Sequence, residues 1–290
     1  MESPADSKLE THTKIELDRF HPLFAIPDGD VILAAKGGEV FFRMHSFTLR
    51  MTSGFFKTMY TLPQQNTPTP NDVVYTDEDA STLESLLRMI CGLPLLPVET
   101  YDQLDSLLFA AEKYDMPGPI SILRLQAMTP SFLEDPFRLY AAASRHAWDA
   151  EKSFSSTRTL AYNIHDLALR RVLQRLSTDA LLDIFQLHHS RREGLRARLN
   201  EPPFVPGTPT VCPSCNAKID YHTWRELKYK IILEMDARPL GDTILESGLL
   251  EWPESLACWE SKCPCGRLLY DKAETLKAIR DCIDELPKSL

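Results

Sequence analysis

Residues 29–56 read GDVILAAKGGEVFFRMHSFTLRMTSGFF, and this stretch decides how the rest of the chain is parsed. Residues 31–35 are a short apolar run, residues 36–39 carry a double glycine suited to a tight connection, and residues 40–42 are a second apolar run. Two such runs around a glycine-bearing connection predict a β-hairpin. Ser53 is placed to cap a helix that carries Phe55, Phe56, Met59 and Tyr60 and stops at Pro63.

Working outward, the prolines and polar residues of QQNTPTPND, residues 64–72, predict a loop, and Val73, Val74 and Tyr75 predict the next strand. Leu83, Leu86, Leu87 and Ile90 fall at i, i+3, i+4 and i+7, and Leu104, Leu107, Leu108 and Ala111 repeat the spacing. Both segments read as amphipathic helices. Pro117 and Gly118 end the second, and residues 120–128 close the unit with a short helix. The pattern is one of packing, with no convergent set of reactive side chains in it.

The chain has 290 residues, a hydrophobic fraction of 43%, a charged fraction of 25% and a net charge of -9. Those values fit a globular protein of two or three compact units. The acidic balance argues against bulk attraction to nucleic acid or anionic membrane. Arg191, Arg192, Arg196 and Arg198 are a local exception, in HHSRREGLRARL at residues 188–199, and read as a solvated helix face. The first twenty residues lack the apolar stretch of a secretion signal, and no apolar run reaches the length of a membrane span. The expectation is an intracellular protein, cytoplasmic or nuclear, whose seven cysteines are reduced.

Residues 1–19 read as a flexible leader and residues 20–129 as an α+β domain. From residue 130 to 200 the chain reads as a helical extension, opened by the capping pair Asp135 and Pro136. EPPFVPGTPT, with four prolines in ten positions, marks a linker over residues 201–211. Residues 212–290 form a small α-helical module with a cysteine cluster.

In that module Cys212, Cys215, Cys263 and Cys265 are candidate ligands of a structural zinc, because thiolates on two tight turns suit a tetrahedral ion. The second pair has one residue between its thiols, which strains chelation by both, so Cys258 is an alternative fourth ligand and His222 a more distant one. The other account of these cysteines is burial without metal. Trp224, Trp252 and Trp259 look too few to hold the module alone, so chelation is expected to unfold it and leave the first 128 residues intact. Cys91 and Cys282 read as packing residues, and His188 and His189 as surface residues whose rings diverge on a helix. Enzyme signatures are absent from the sequence: no phosphate-cradling loop, dinucleotide fingerprint, paired-His helix or nucleophile elbow.

The order of pieces from the hairpin at Asp30-Val31, through the turn at His45, to helices, a strand and two further helix pairs resembles a BTB/POZ domain. The resemblance implies a non-catalytic protein-interaction module that forms homodimers through its first helices, sometimes with exchange of an N-terminal strand. Phe47, Leu49, Met51, Phe55 and Phe56 would then be the dimer surface, the competing account being that they fill the core. It also implies a structural polar pair, Asp30 and His45, buried near the dimer seam; both could instead be ordinary turn and cap residues. Many family members recruit a cullin-type ubiquitin ligase scaffold through a hydrophobic residue followed two positions later by Glu. The corresponding TLPQQNTPTPND, residues 61–72, has no Glu. The make-up of the whole chain resembles BTB proteins abundant in fungi. A self-associating scaffold or adaptor is the leading expectation; a ubiquitin-ligase substrate adaptor and a DNA-binding transcriptional regulator are the alternatives.

Overall fold

The computed structural model describes residues 17–62, 73–205 and 210–290. The leader up to residue 16, the loop at 63–72 and positions 206–209 of the proline-rich stretch lie outside the described residues. The chain divides into two compact units, one ending at Phe132 and one beginning at Leu133.

The first unit is built on a four-stranded mixed sheet. Its strands are β1 (Phe20–Ala25), β2 (Val31–Ala34), β3 (Phe41–Met44) and β4 (Val73–Tyr75), in spatial order β1-β3-β2-β4. The hairpin is β2 and β3, antiparallel with Val31 opposite Met44 and Ala34 opposite Phe41. Gly37 and Gly38 both take positive φ (76° and 66°) in the connection, a conformation that side chains with a Cβ rarely adopt. Strand β1 runs parallel to β3 at the sheet edge, a pairing the sequence did not announce. FHPLFA lacks clean alternation, and its Pro22 is tolerated in a strand only where no partner needs the missing N–H.

Helices α1 (Ser46–Thr52) and α2 (Gly54–Thr61) follow β3 and are separated by the extended residue Ser53. Ser53 Oγ accepts the N–H of Phe56 at 3.1 Å, the predicted cap, and its hydroxyl donates to the Tyr114 carbonyl. At this junction Gly54 lies so close to Asp115 that a Cβ would sit 1.8 Å from the carboxylate. Helices α3 (Ala80–Cys91), α4 (Tyr101–Lys113) and α5 (Pro117–Ala127) pack on one another and bury the predicted leucine stripes. Asp79 caps α3, and Thr100 with Gln103 forms a reciprocal capping box on α4. Pro117 starts α5 where the sequence suggested a stop; the break is at Asp115, whose φ is 49°. The chain passes from the first unit to the second within α6 (Pro130–Leu133).

The second unit contains α7 (Pro136–Arg145), α8 (Asp149–Thr159), α9 (Arg170–Leu173) and α10 (Thr178–Arg198). A two-stranded antiparallel ribbon, β5 (Thr210–Val211) and β6 (Lys218–Ile219), precedes α11 (His222–Ala237). The unit ends with α12 (Leu249–Glu251), α13 (Pro253–Glu260) and α14 (Lys272–Asp284). Asp135 caps α7 as predicted, accepting the Arg138 N–H at 3.1 Å.

Here the structure corrects the division into a helical arm and a separate cysteine module. Leu195 and Leu199, at the end of α10, share one core with Trp224, Leu227, Ile231 and Met235 of α11 and with Ile279 and Ile283 of α14. Phe204, from the stretch read as a linker, is buried and stacks on Trp224 with ring centroids 5.3 Å apart and planes at 11°. The core around Trp224 is therefore larger than the tail alone provides, and the expected dependence of the whole tail on a metal loses its premise.

In the Arg-rich segment Arg196 and Arg198 are exposed as expected of a solvated helix face, and Arg191 is the residue that departs from it. The buried face of α10 runs Ala180, Ile184, Leu187, His188, Arg191, Leu195, so a helical stripe exists but two of its members are polar. Arg191 is 2% exposed and His188 is 4% exposed, where both were expected at the surface. Arg191 donates to four backbone carbonyls, those of Pro239 (2.7 Å), Leu240 (3.1 Å), Leu286 (3.3 Å) and Pro287 (2.8 Å). Among the described residues, no helix is long and apolar enough to cross a membrane.

Candidate functional site

Two places in the structure gather the residues singled out from the sequence. The first is the pair of turns that carry the cysteines. Cys212 leaves β5 and enters a turn in which its carbonyl accepts the Asn216 N–H at 2.9 Å while its own N–H reaches the Ala217 carbonyl at 2.9 Å. Asn216 takes a positive φ of 55°, which Asn tolerates better than most residues. The second turn repeats the scheme with one residue fewer. Cys263 N–H donates to the Arg267 carbonyl at 2.8 Å, and Gly266 N–H donates back to the Cys263 carbonyl at 2.8 Å. A bridge between Lys262 and Leu268 closes its base, and Gly266 turns the chain at φ 85°.

All four sulfurs lie within 4.8 Å of one another, with Cys212 Sγ 3.9 Å from Cys265 Sγ and Cys215 Sγ 3.4 Å from Cys263 Sγ. Four sulfurs about 2.3 Å from a tetrahedral ion stand about 3.8 Å apart, so the spacing fits zinc–thiolate geometry. The single residue between Cys263 and Cys265 is no obstacle: both sulfurs belong to the cluster, in a turn that carries Gly266 at φ 85° and is closed by the Lys262–Leu268 bridge. Cys258 is not part of the cluster: it is fully buried with Trp224 and Trp259, and burial pushes its thiol up to about 12. His222 is exposed, with Nδ1 3.3 Å from the Asp220 carbonyl.

The thiols of the cluster are not equivalent electrostatically. The backbone N–H groups of Ser214 and Cys215 point at Cys212 and lower its thiol pKa. At Cys263 the Cys265 N–H also pulls downward, yet burial and the neighbouring thiols outweigh it and the pKa rises. A divalent cation bound here would hold the four sulfurs as thiolates and remove the repulsion between them. Among the described residues this is the group of metal-capable side chains close enough to hold one ion. Cys282 is buried as expected, whereas Cys91, the last residue of α3, is exposed.

The second place is the surface of α1 and α2. The five apolar residues read as a dimer surface divide into two sets. Leu49 and Phe56 are 0% and 1% exposed and belong to the core, while Phe47, Met51 and Phe55 are 64%, 70% and 43% exposed. Phe56 stacks on Tyr114 at 5.4 Å, and Phe55 meets both rings edge-on. Tyr114 in turn donates its hydroxyl to buried Glu78, which also holds Lys113 Nζ at 2.9 Å.

Asp30 is exposed and His45 half-buried, so they are not the buried pair expected, and they do not bond each other among the described residues. Asp30 accepts both the N–H and the hydroxyl of Ser46 at 2.6 Å, the first residue of α1. Burial works against its charge, and the two Ser46 bonds prevail and hold the carboxyl below the usual carboxylate range. The carboxylate thus caps α1 from sixteen residues away, where His45 at the cap position supplies no side-chain bond. His45 Nε2 lies 3.7 Å from Asp28 Oδ1.

The stretch that holds the hairpin, the capped helix pair and the helices after them matches a known family, the BTB/POZ domain, over residues 28–126. This part of the chain is a BTB/POZ domain. Such domains are protein-interaction modules, so an interaction role for the chain rests on its BTB/POZ domain rather than on any catalytic constellation. No curated protein matches the chain.

Proposed function

We propose that this protein is a self-associating, non-catalytic scaffold or adaptor, in which the BTB/POZ domain pairs with a second copy through α1 and α2. The observation that carries the proposal is the exposure of Phe47, Met51 and Phe55 beside the fully buried Leu49 and Phe56. The core account explains the buried pair and the ring contacts of Phe55 but leaves Phe47 and Met51 without a role, and large apolar side chains exposed at a surface mark an interface. Burying each exposed side chain against a partner contributes about 1.5–3 kcal/mol. Sedimentation velocity on the full chain at micromolar concentration tests this. A dimer is expected for the wild type and a monomer for Phe47→Glu combined with Met51→Glu. A wild-type monomer, or a double variant that still dimerises, overturns the proposal.

The four-thiol cluster is proposed as a structural zinc site, since four thiolates complete the coordination and leave no open position for chemistry. Metal analysis of freshly purified protein is expected to find one zinc per chain. The DNA-binding alternative is disfavoured by the state of the basic helix. Arg191 is buried, Arg192 pairs with Asp236 at 2.6 Å and Glu193 at 3.0 Å, and Arg198 pairs with Glu285. Recruitment of a cullin-type scaffold draws no support from residues 61–72, which lack the expected Glu.

A further inference from the structure

The four cysteines differ in access in a way that coordination alone does not require. Cys215 and Cys265 are exposed, and Cys212 and Cys263 are buried. Two short sulfur–sulfur distances run across the two turns, and each joins an exposed cysteine to a buried one: Cys215 to Cys263 at 3.4 Å and Cys265 to Cys212 at 3.9 Å. An oxidant arriving from solvent meets Cys215 or Cys265 first, with a second thiol already alongside.

We propose that the cluster is a peroxide-responsive switch in which Cys215 and Cys265 are oxidised and the buried Cys263 and Cys212 resolve them as disulfides, releasing the metal. The proposal rests on the zinc reading for the metal and on the sulfur geometry alone for the disulfides. In the first step the Cys215 thiolate attacks hydrogen peroxide, the O–O bond breaks, and with one proton the products are a sulfenic acid and water. In the second, the Cys263 thiolate attacks that sulfur, an S–S bond forms, and the hydroxyl leaves as water with a second proton. Cys265 and Cys212 repeat the sequence, so two peroxides are reduced and four thiolates oxidised. A disulfide sulfur is a poor zinc ligand, and the ion departs.

Both disulfides would join the same two turns that the metal joins, so the ribbon and the second turn stay tethered while the charge and contents of the site change. Cys258 and Cys282, buried elsewhere in the unit, have no part in this chemistry. The switch uses four of the seven cysteines; exposed Cys91, at the end of α3, has no second cysteine among the cluster residues to resolve it.

The test treats purified full-length protein with hydrogen peroxide, follows zinc with a chromophoric indicator, and maps cysteines by differential alkylation and non-reducing peptide mass spectrometry. The expected result is stoichiometric zinc release, Cys212–Cys265 and Cys215–Cys263 cross-links, and reversal by dithiothreitol with added zinc. Sulfinic acid at the exposed cysteines without cross-links, a Cys212–Cys215 disulfide, or thiols that survive peroxide would overturn it. In Cys215→Ser, Cys263 is expected to remain a free thiol, and its oxidation there would overturn the assignment of attacking residue. Protein that contains no zinc before peroxide overturns the zinc reading alone, because the disulfide map still decides the switch.

Discussion

Arg191 is a charged side chain held in the interior by backbone carbonyls instead of a carboxylate, and its energetics follow from that. Removing a guanidinium's water is expensive, and the four carbonyls from Pro239, Leu240, Leu286 and Pro287 offset it. Arg191→Met keeps the volume but strands those acceptors, and is expected to destabilise the second unit by about 3 kcal/mol in urea denaturation. His188, on the same face, has the opposite problem. Its Nε2 lies 3.2 Å from Thr159 Oγ1, whose hydroxyl already donates to the Ser156 carbonyl at 2.7 Å, so Nε2 carries the proton and the ring is neutral. Burial, with help from His165 and Arg191, lowers its pKa from 6.5 to about 4. The unfolded chain therefore takes up a proton that the folded chain refuses. Stability falls as pH drops from about 6.5 to about 4, by about 3 kcal/mol, and this contribution is flat above that window and below it. Comparing the pH dependence of stability in wild type and His188→Leu checks it: the variant should lose that slope.

At the scale of elements, the two cysteine turns show how local backbone chemistry sets a site. Gly266 needs its φ of 85°, and a Cβ there meets nothing within 4 Å, so Gly266→Ala would act through backbone strain rather than through a clash. The expected effect is a loss of about 1 kcal/mol and weaker metal retention, measured by competition with a chelator of known affinity. The CPSC and CPCG letters made these turns legible. What could not be read was that both sulfurs of the shorter turn join the cluster, in a turn closed by the bridge between Lys262 and Leu268. Strand β1 was missed for a related reason, as an edge strand with a proline carries little alternation and is fixed by β3. The Asp30 cap on α1 was also out of reach, since its partner is sixteen residues along the chain.

For the whole molecule, the expected response to chelation changes once the shared core is known. Trp224 and its neighbours pack with Leu195 and Leu199 of α10, so removing a metal should loosen the β5–β6 ribbon and the second turn while the helices persist. Far-ultraviolet circular dichroism after chelation should retain most of its helical signal, with amide exchange rising at residues 210–219 and 262–268. Complete loss of helicity in the second unit would show that the metal holds more than the ribbon.

In the sequence by itself, apolar period and turn residues were enough to read the α+β hairpin-and-helix order, and ligand spacing was enough to nominate Cys212, Cys215, Cys263 and Cys265, with Cys258 left as an alternative. Only the tertiary structure decided which of Phe47, Leu49, Met51, Phe55 and Phe56 face outward, and that Arg191 and His188 face inward. It also decided that α10 shares its core with the cysteine-bearing segment. Burial of a side chain is a property of what packs over it, and the carbonyls that hold Arg191 lie 48 to 96 positions away along the chain.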